Sequence, residues 1–247
     1  MDALYHGPVI NGSGKCLHFR APGHKRQALR RAAAAFAALA LGTLVSPAPC
    51  AAGPDPGREI HLTAFGDSLT AGFGLRADQA FPACLERLLR AKGFAVSVDN
   101  AGVSGDTTAG GLERLDWSIP GTPDGVILEL GANDGLRGLP TDMIEANLEA
   151  IIDRLAARGA PVMLVGMKAI MNMGPDYGRE FAALFSRLAQ KHGMVFYPFF
   201  LEGVADAPGL NQSDGLHPNA AGTEEVARRV LPSVLEFLRR IAARRGA

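Results

Sequence analysis

The stretch Ala64-Phe-Gly-Asp-Ser-Leu-Thr-Ala-Gly-Phe-Gly74 joins an apolar run to a series of small residues. The run, which begins at Ile60, predicts a short buried strand, and Gly66 permits a sharp turn after it. Ser68 then lies at the carboxyl end of that strand, where the reactive groups of parallel α/β sheets collect. Two interpretations are open at this point: Ser68 is a nucleophile, or it caps the helix that follows.

The rest of the chain alternates between strand-like and helix-like segments. Strand candidates are residues 61–65, 95–100, 125–130, 162–167 and 195–198. Helix candidates are residues 78–92, 107–115, 142–158, 176–192 and 219–240, which carry apolar residues at helical spacing. Short apolar strands separated by helices predict an α/β fold with a five-stranded parallel sheet covered on both faces, a three-layer α/β/α sandwich.

Residues 1–52 have the composition of a secretory signal. Four basic residues between positions 25 and 31 precede an apolar stretch, residues 32–45, that is short for a membrane span. Small residues at 50–52 suit cleavage by a signal peptidase, and an uncleaved membrane anchor is the alternative. We therefore expect an N-terminal extension with a signal peptide at 1–52, a linker at 53–58, a folded domain at 59–247, and a periplasmic or secreted protein without stable membrane insertion.

The folded domain is mildly acidic. Of the 25 basic and 25 acidic residues, six and one respectively lie in residues 1–52, which leaves 19 and 24 and a net charge of −5 for the remainder. Without a basic patch, this domain is not expected to bind nucleic acid. The cysteines Cys16, Cys50 and Cys84 lack metal-ligand spacing, and no nucleotide-binding glycine loop is present, so we expect neither a metal nor another cofactor.

Four polar segments follow predicted strands or precede the last predicted helix. They are Gly66-Asp-Ser-Leu-Thr70, Asn100-Ala-Gly-Val-Ser-Gly-Asp-Thr-Thr108, Gly131-Ala-Asn-Asp134 and Asp214-Gly-Leu-His-Pro218. Because the carboxyl ends of parallel strands lie at one edge of a sheet, we expect these segments to gather there. In the second segment Gly102 and Gly105 can expose backbone N–H groups, and Asn133 in the third offers a side-chain amide.

Three histidines follow residue 52. The first begins a predicted strand, and the second ends a predicted helix. The third, His217, lies in a loop that Pro218 fixes at the first turn of the next helix. Asp214 is three residues earlier, so one turn of chain can bring its carboxylate to the imidazole and hold one tautomer. A helix-capping aspartate beside an exposed histidine is the alternative, but the presence of Ser68 and Asn133 in the same chain favours a Ser–His–Asp triad.

Taken together and in this order, the four segments resemble the SGNH (GDSL) hydrolase family, in its bacterial arylesterase, lysophospholipase and acyl-CoA thioesterase I branch. The resemblance covers roughly residues 59–238 and implies a flavodoxin-like fold. It implies that Ser68 is the nucleophile, that His217 is the general base and then acid, and that Asp214 orients His217. It also implies an oxyanion hole formed by the backbone N–H groups of Ser68 and Gly105 and the amide of Asn133.

The substrate is less defined by the sequence. Candidates for contact with an acyl chain are Phe73, Leu75, Ile170, Met171 and Met173. The last three lie in a segment that resembles a loop over the acyl chain in this branch, although they could instead only cover the sheet. We expect a small acyl ester or thioester as substrate, and a monomer or weak oligomer.

The favoured function is therefore a serine esterase with arylesterase, lysophospholipase or thioesterase activity. A carbohydrate acetyl-esterase is the second enzymatic alternative. A non-catalytic binding module on a hydrolase scaffold is a third reading, which the complete set of triad and oxyanion residues argues against.

Overall fold

The computed structural model describes residues 58–169 and 173–246. The strands are β1 (Ile60–Gly66), β2 (Val96–Gly102), β3 (Gly125–Glu129), β4 (Val162–Val165) and β5 (Val195–Tyr197). The helices are α1 (Ser68–Ala71), α2 (Phe81–Ala91), α3 (Thr108–Ser118), α4 (Ala132–Arg137), α5 (Thr141–Ala157), α6 (Pro175–Lys191) and α7 (Ala220–Arg245). A 3-10 turn at Ala77–Gln79 precedes α2.

The five strands form one parallel sheet in the order β2-β1-β3-β4-β5. This is the flavodoxin-like strand order, so the predicted fold class is confirmed. The chain leaves β1 towards β2 on one side and returns to β3 on the other. In such sheets ligands bind at the carboxyl ends of the two strands where the order reverses, which here are β1 and β3.

Helices flank the sheet in two groups. Helix α2 packs on α7, while α5 packs between α3 and α6. All residues of β3 and β4 are buried, as expected for central strands that are covered on both faces. No helix of the described residues is both long and apolar enough to cross a membrane.

Helix α5 illustrates how the apolar pattern drives this packing. Its buried residues are Ile144, Leu148, Ile151, Ile152 and Leu155, spaced three or four positions apart except for one adjacent pair. That spacing places them on one face of the helix. Burying each such side chain stabilises the fold by about 1.5–3 kcal/mol.

The sequence pattern missed two short helices, α1 and α4, which have four and six residues. Neither is long enough to show a helical period. The predicted helix at 78–92 is instead a 3-10 turn and α2, because Ala80 between them is extended with φ −66° and ψ 153°. The predicted strand at 95–100 continues two residues further, to Gly102, which pairs with Gly66.

We expect Gly66→Ala to destabilise the protein by about 1–3 kcal/mol, as overpacking of a filled core does. A Cβ at Gly66 would lie 2.5 Å from the backbone oxygen of Glu129 and 2.6 Å from its Oε2 atom. The matched control is Gly178→Ala in α6, where no heavy atom lies within 4 Å of the added Cβ.

Urea unfolding of the two variants and the wild type tests this expectation. The control should gain about 0.5–1 kcal/mol from the higher helix propensity of alanine. Equal stability of the Gly66→Ala variant and the wild type would contradict the close packing described for this turn.

Candidate active site

The turn after β1 carries Ser68 as the first residue of α1. Asp67, which is completely buried, caps this helix through a hydrogen bond from the Leu69 N–H to Asp67 Oδ1 at 3.0 Å. The interpretation of Ser68 as the cap is therefore wrong, because Asp67 occupies the cap position and Ser68 is already the first residue of the helix. The Ser68 hydroxyl is left for another partner.

That partner is the imidazole of His217. Ser68 Oγ lies 2.9 Å from His217 Nε2, and His217 Nδ1 lies 2.6 Å from Asp214 Oδ2. The carboxylate requires the Nδ1–H tautomer, so Nε2 accepts the hydrogen bond from the Ser68 hydroxyl. The structure thus brings together the three residues that the sequence predicts as a triad.

The loop that carries His217 is held by its own backbone. Asp214 Oδ1 accepts hydrogen bonds from the N–H groups of Leu216 at 2.9 Å and His217 at 3.0 Å, and Gly215 takes a positive φ of 71° in the turn between them. These backbone bonds and the imidazole bond lower the pKa of Asp214 to about 2. Asp214 therefore stays ionised in any solution near neutrality.

Phe73 packs against the same imidazole. Its ring centroid lies 4.6 Å from that of His217, and the two rings are tilted by 39°. The backbone oxygen of Phe73 accepts a 2.7 Å hydrogen bond from Gln212 Nε2, and the Gln212 N–H donates to the oxygen of His217 at 2.8 Å. The nucleophile segment and the histidine loop are therefore joined directly.

Asn133 lies in α4, after β3, and its amide points to the nucleophile turn. Asn133 Nδ2 donates to the backbone oxygen of Asp106 at 2.9 Å and, over a longer 3.3 Å, to Asp67 Oδ2. Gly105 lies in the exposed loop between β2 and α3 with a φ of 86°, and its oxygen accepts from Arg137 at 3.1 Å. Asn133 and Arg137, both in α4, thus fix the loop that contains Gly105.

A buried arginine in α3 connects the same segments from below. Arg114 donates to the backbone oxygens of Gly66 at 2.8 Å and Ala101 at 2.9 Å, and it forms an ion pair with Asp106. Its guanidinium also lies over the Phe65 ring, 4.1 Å from the centroid. The ends of β1 and β2 and the loop after β2 are therefore tied to one rigid group.

Three carboxyl groups are buried below this edge of the sheet. Burial raises the pKa of Asp67 to about 6, although the Leu69 N–H, the Asn133 amide and the nearby His217 oppose the rise. Burial also raises the pKa of Asp134, which accepts hydrogen bonds from the Thr108 N–H at 2.9 Å and the Thr108 hydroxyl at 2.6 Å. The third is Glu129, at the end of β3, which the sequence prediction did not single out.

A cavity of about 520 Å³ opens beside the hydrogen-bonded Ser68 and His217. Its described lining residues are Ser68, Leu69, Ala132, Asn133, Leu136, Met167, Lys168, Ala169, Phe199, Leu201, Glu202, Gly203, Ala205, Asp206, Gly215, Leu216 and His217. The sequence prediction missed most of these. Met167 and Phe199 each lie two residues beyond the end of β4 and β5, so extending the strand-end rule to those strands would have found that wall of the cavity.

The predicted acyl-contact residues are placed less uniformly. Ile170 and Met171 lie outside the described residues. Phe73, Leu75 and Met173 are not among the described residues that line the cavity, and Phe73 contacts His217 instead. Met173 is exposed and lies against Gly138, next to α4.

A parallel α/β sheet with a Ser–His–Asp hydrogen-bonded chain at its carboxyl edge defines an α/β serine hydrolase. Residues 64–224 match the GDSL-like lipase/acylhydrolase family, and the chain belongs to it. It is a serine esterase, in agreement with the resemblance inferred from the four segments.

Relatives support this assignment over most of the domain. Esterase TesA of Pseudomonas aeruginosa is 38% identical over 178 residues, which are 72% of this chain and 89% of that protein. The arylesterase of Vibrio mimicus is 37% identical over the same shares of both chains. The thioesterase 1/protease 1/lysophospholipase L1 of Escherichia coli K12 is 38% identical over 64% of this chain and 75% of that protein.

Solved structures agree with the fold. The crystal structure of TesA has a TM-score of 0.69 at 37% identity and covers 72% of this chain and 99% of the other. That of AlinE4, an SGNH-hydrolase family esterase, has a TM-score of 0.62 at 44% identity, with 74% and 99% covered.

The raised pKa of Asp67 leads to a prediction about stability. Because the folded protein holds this proton more tightly than the unfolded chain does, the stability from Asp67 is greatest below pH 3.8 and is lost as the pH rises through about 6. A rise from 3.8 to about 6 corresponds to about 3 kcal/mol at pH 8. Asp67→Asn retains a capping oxygen without the charge. We therefore expect it to be more stable than the wild type at pH 8, by up to that amount.

Urea unfolding at pH 4 and pH 8 measures this difference, which should be small at pH 4, where Asp67 is protonated. Asp99→Asn, at an exposed position in β2, is the control and should change stability by less than about 0.5 kcal/mol at either pH. The same stability gap between Asp67→Asn and wild type at both pH values would show that burial of the charge is not its cause.

Proposed function

We propose that this protein hydrolyses carboxylic esters and thioesters of fatty acyl groups through an acyl-enzyme on Ser68. The observation that carries the proposal is the hydrogen-bonded chain Ser68–His217–Asp214, whose serine and histidine line the cavity. The names of the relatives, which include arylesterase and thioesterase/lysophospholipase, support this range of ester substrates.

In the first step His217 Nε2 takes the proton of the Ser68 hydroxyl while Oγ attacks the acyl carbonyl carbon. The ionised Asp214 stabilises the imidazolium that forms and keeps Nε2 directed at the serine. The two backbone N–H groups that it accepts from serve this role, since a carboxylate of low pKa does not take up the proton itself.

Negative charge develops on the carbonyl oxygen of the substrate during this attack. Its proposed donors are the N–H groups of Ser68 and Gly105 and the amide of Asn133. The Ser68 N–H lies at the start of α1, where N–H groups lack intrahelical partners. Asn133 would exchange its longer 3.3 Å bond to Asp67 for the oxyanion while it keeps the 2.9 Å bond to Asp106 that orients it.

His217 then protonates the leaving alcohol or thiol, and the acyl-enzyme forms. Water enters as the second nucleophile, loses a proton to His217, and releases the acid while Ser68 recovers its hydroxyl proton. The apolar wall of Leu69, Leu136, Met167 and Leu201 suits an acyl chain, because burial of its methylenes contributes about 0.8 kcal/mol for each CH₂. All three triad residues come from one copy of the chain, so we propose that a monomer or weak oligomer is active.

Replacing the nucleophile tests the mechanism. We expect Ser68→Ala to reduce hydrolysis of p-nitrophenyl butyrate and octanoate by about 10⁴-fold or more, since loss of a triad member leaves only the residual catalysis of binding and the oxyanion site. Circular dichroism should show an unchanged fold. Ser186→Ala, which removes a hydroxyl bonded to the Ala183 oxygen in α6, is the matched control and should keep wild-type rates.

Activity that survives Ser68→Ala would contradict the mechanism. Wild-type protein that turns over no acyl ester would favour a binding module. Activity limited to acetyl groups, with acetylated sugars preferred, would favour a carbohydrate acetyl-esterase instead.

We also propose that the protein is exported to the periplasm or secreted, with residues 1–52 containing the signal. The support is the basic and apolar pattern of residues 25–45. When the full-length chain is expressed in a Gram-negative host, the exported fraction should begin near residue 52 in N-terminal sequencing. Exported protein that retains residues 25–45 would contradict cleavage and support an uncut anchor.

A further inference from the structure

Glu129 ends β3 directly beside the nucleophile turn. Its Cα pairs with that of Gly66 across the sheet, and its side chain is only 1% exposed. The Thr70 hydroxyl donates a hydrogen bond of 2.7 Å to Glu129 Oε2. Thr70 lies in α1, two residues after Ser68. The Glu129 carboxyl group is therefore hydrogen-bonded to the short helix that carries the nucleophile.

The other oxygen of this carboxyl group, Oε1, is buried and has no hydrogen-bond partner among the described residues. A buried carboxylate with an unpartnered oxygen is unfavourable, and such groups usually become neutral. The negative charge of Asp67, the second buried carboxyl group beside it, also disfavours the ionised form of Glu129. Burial and the charge of Asp67 raise the pKa of Glu129 well above its ordinary value, although the Thr70 hydroxyl and the N–H groups of Asp67 and Thr70 oppose the rise.

Asp67, in contrast, has a hydrogen-bond donor for each of its carboxylate oxygens, and these donors stabilise its charge. Its two oxygens accept from the Leu69 N–H and from the Asn133 amide. Two adjacent buried carboxyl groups that share one proton place it on the group whose charge is less well stabilised, and here that is Glu129 with its unpartnered Oε1. The donors around the pair therefore favour a neutral Glu129 and an ionised Asp67.

We propose that Glu129 is a positioning residue, a neutral carboxylic acid that holds the nucleophile helix through Thr70 and leaves the single negative charge of the pair on Asp67. This inference rests on the proposed function, since it supposes that Ser68 is the nucleophile. A four-residue helix has few bonds of its own, so a buried external partner for Thr70 limits the displacement of Ser68. Misplacement of a reacting group by about 1 Å can reduce the rate about 10²-fold.

The test compares Glu129→Gln with Glu129→Leu in p-nitrophenyl butyrate hydrolysis. Glutamine has the shape of a neutral carboxylic acid and can still accept from Thr70, so its kcat should stay within about threefold of wild type. Leucine removes the acceptor and leaves the Thr70 hydroxyl unsatisfied. Its kcat should fall about 10–100-fold with little change in KM, because the substrate cavity is untouched while Ser68 is displaced.

Thr70→Val removes the same hydrogen bond from the other side and should lower kcat as Glu129→Leu does. This variant also tests the bond if Glu129→Leu fails to fold. Leu155→Ala in α5, a core truncation away from the site, controls for general destabilisation and should keep the wild-type kcat well below its unfolding temperature. Infrared difference spectra of wild type and Glu129→Gln at pH 7.5 should show the carbonyl stretch of a protonated carboxyl group.

Several results would overturn the proposal. One is a Thr70→Val variant or a folded Glu129→Leu variant with wild-type kcat, and another is a Glu129→Gln variant as impaired as Glu129→Leu. The absence of a protonated carboxyl signal would overturn the assignment of a neutral Glu129. An inactive wild type would count against the proposed function, whereas an active wild type with these results would count against Glu129 alone.

Discussion

The contacts of Arg114 set the geometry on which the site depends. One guanidinium, buried against Phe65, binds the ends of β1 and β2 through the oxygens of Gly66 and Ala101, and pairs with Asp106. A buried guanidinium needs its donors satisfied, and its planar fork allows little freedom to the groups that satisfy it. Arg114 therefore fixes the nucleophile turn to the loop before α3, independently of the contacts between the polar residues at the surface of the site.

The strand order determines which functional residues lie close together at the carboxyl edge of the sheet, above this arginine. Because β1 lies between β2 and β3, the segments after these three strands adjoin one another at the carboxyl edge. They supply Ser68, Gly105 and Asn133, while the loop before α7 adds His217 from the side. Small residues allow the ends of these strands to lie close together. Gly66 and Gly102 pair across β1 and β2, and a Cβ at Gly66 would overlap Glu129. A substrate carbonyl would thus enter at the point where the strand order reverses.

Much of this arrangement could be predicted from the sequence, and the reasons differ from residue to residue. Apolar runs and helical spacing predict the strands and the long helices, because each buries a full face. The residues of the triad could be predicted because each lies in a short motif at a strand end or before a helix. Leu75 is predicted from its position beside the nucleophile segment and Met173 from the resemblance of its segment to a loop over the acyl chain, and neither lines the described cavity. Glu129 and Arg114 were missed because a single buried charge has no period, and its partners are distant in sequence.

The buried charges of the site also lower the stability of the folded protein. Burial of the ionised Asp67 lowers the stability of the fold and raises the pKa of this group, while its carboxylate caps α1 and accepts from the amide of Asn133. A second ionised carboxylate at Glu129 would add another buried charge and repel Asp67 directly. The burial of both carboxyl groups beneath Ser68 therefore favours one charge on Asp67 and a neutral Glu129. An asparagine at position 67 would relieve the fold, but its amide group would oppose the amide of Asn133 instead of accepting from it.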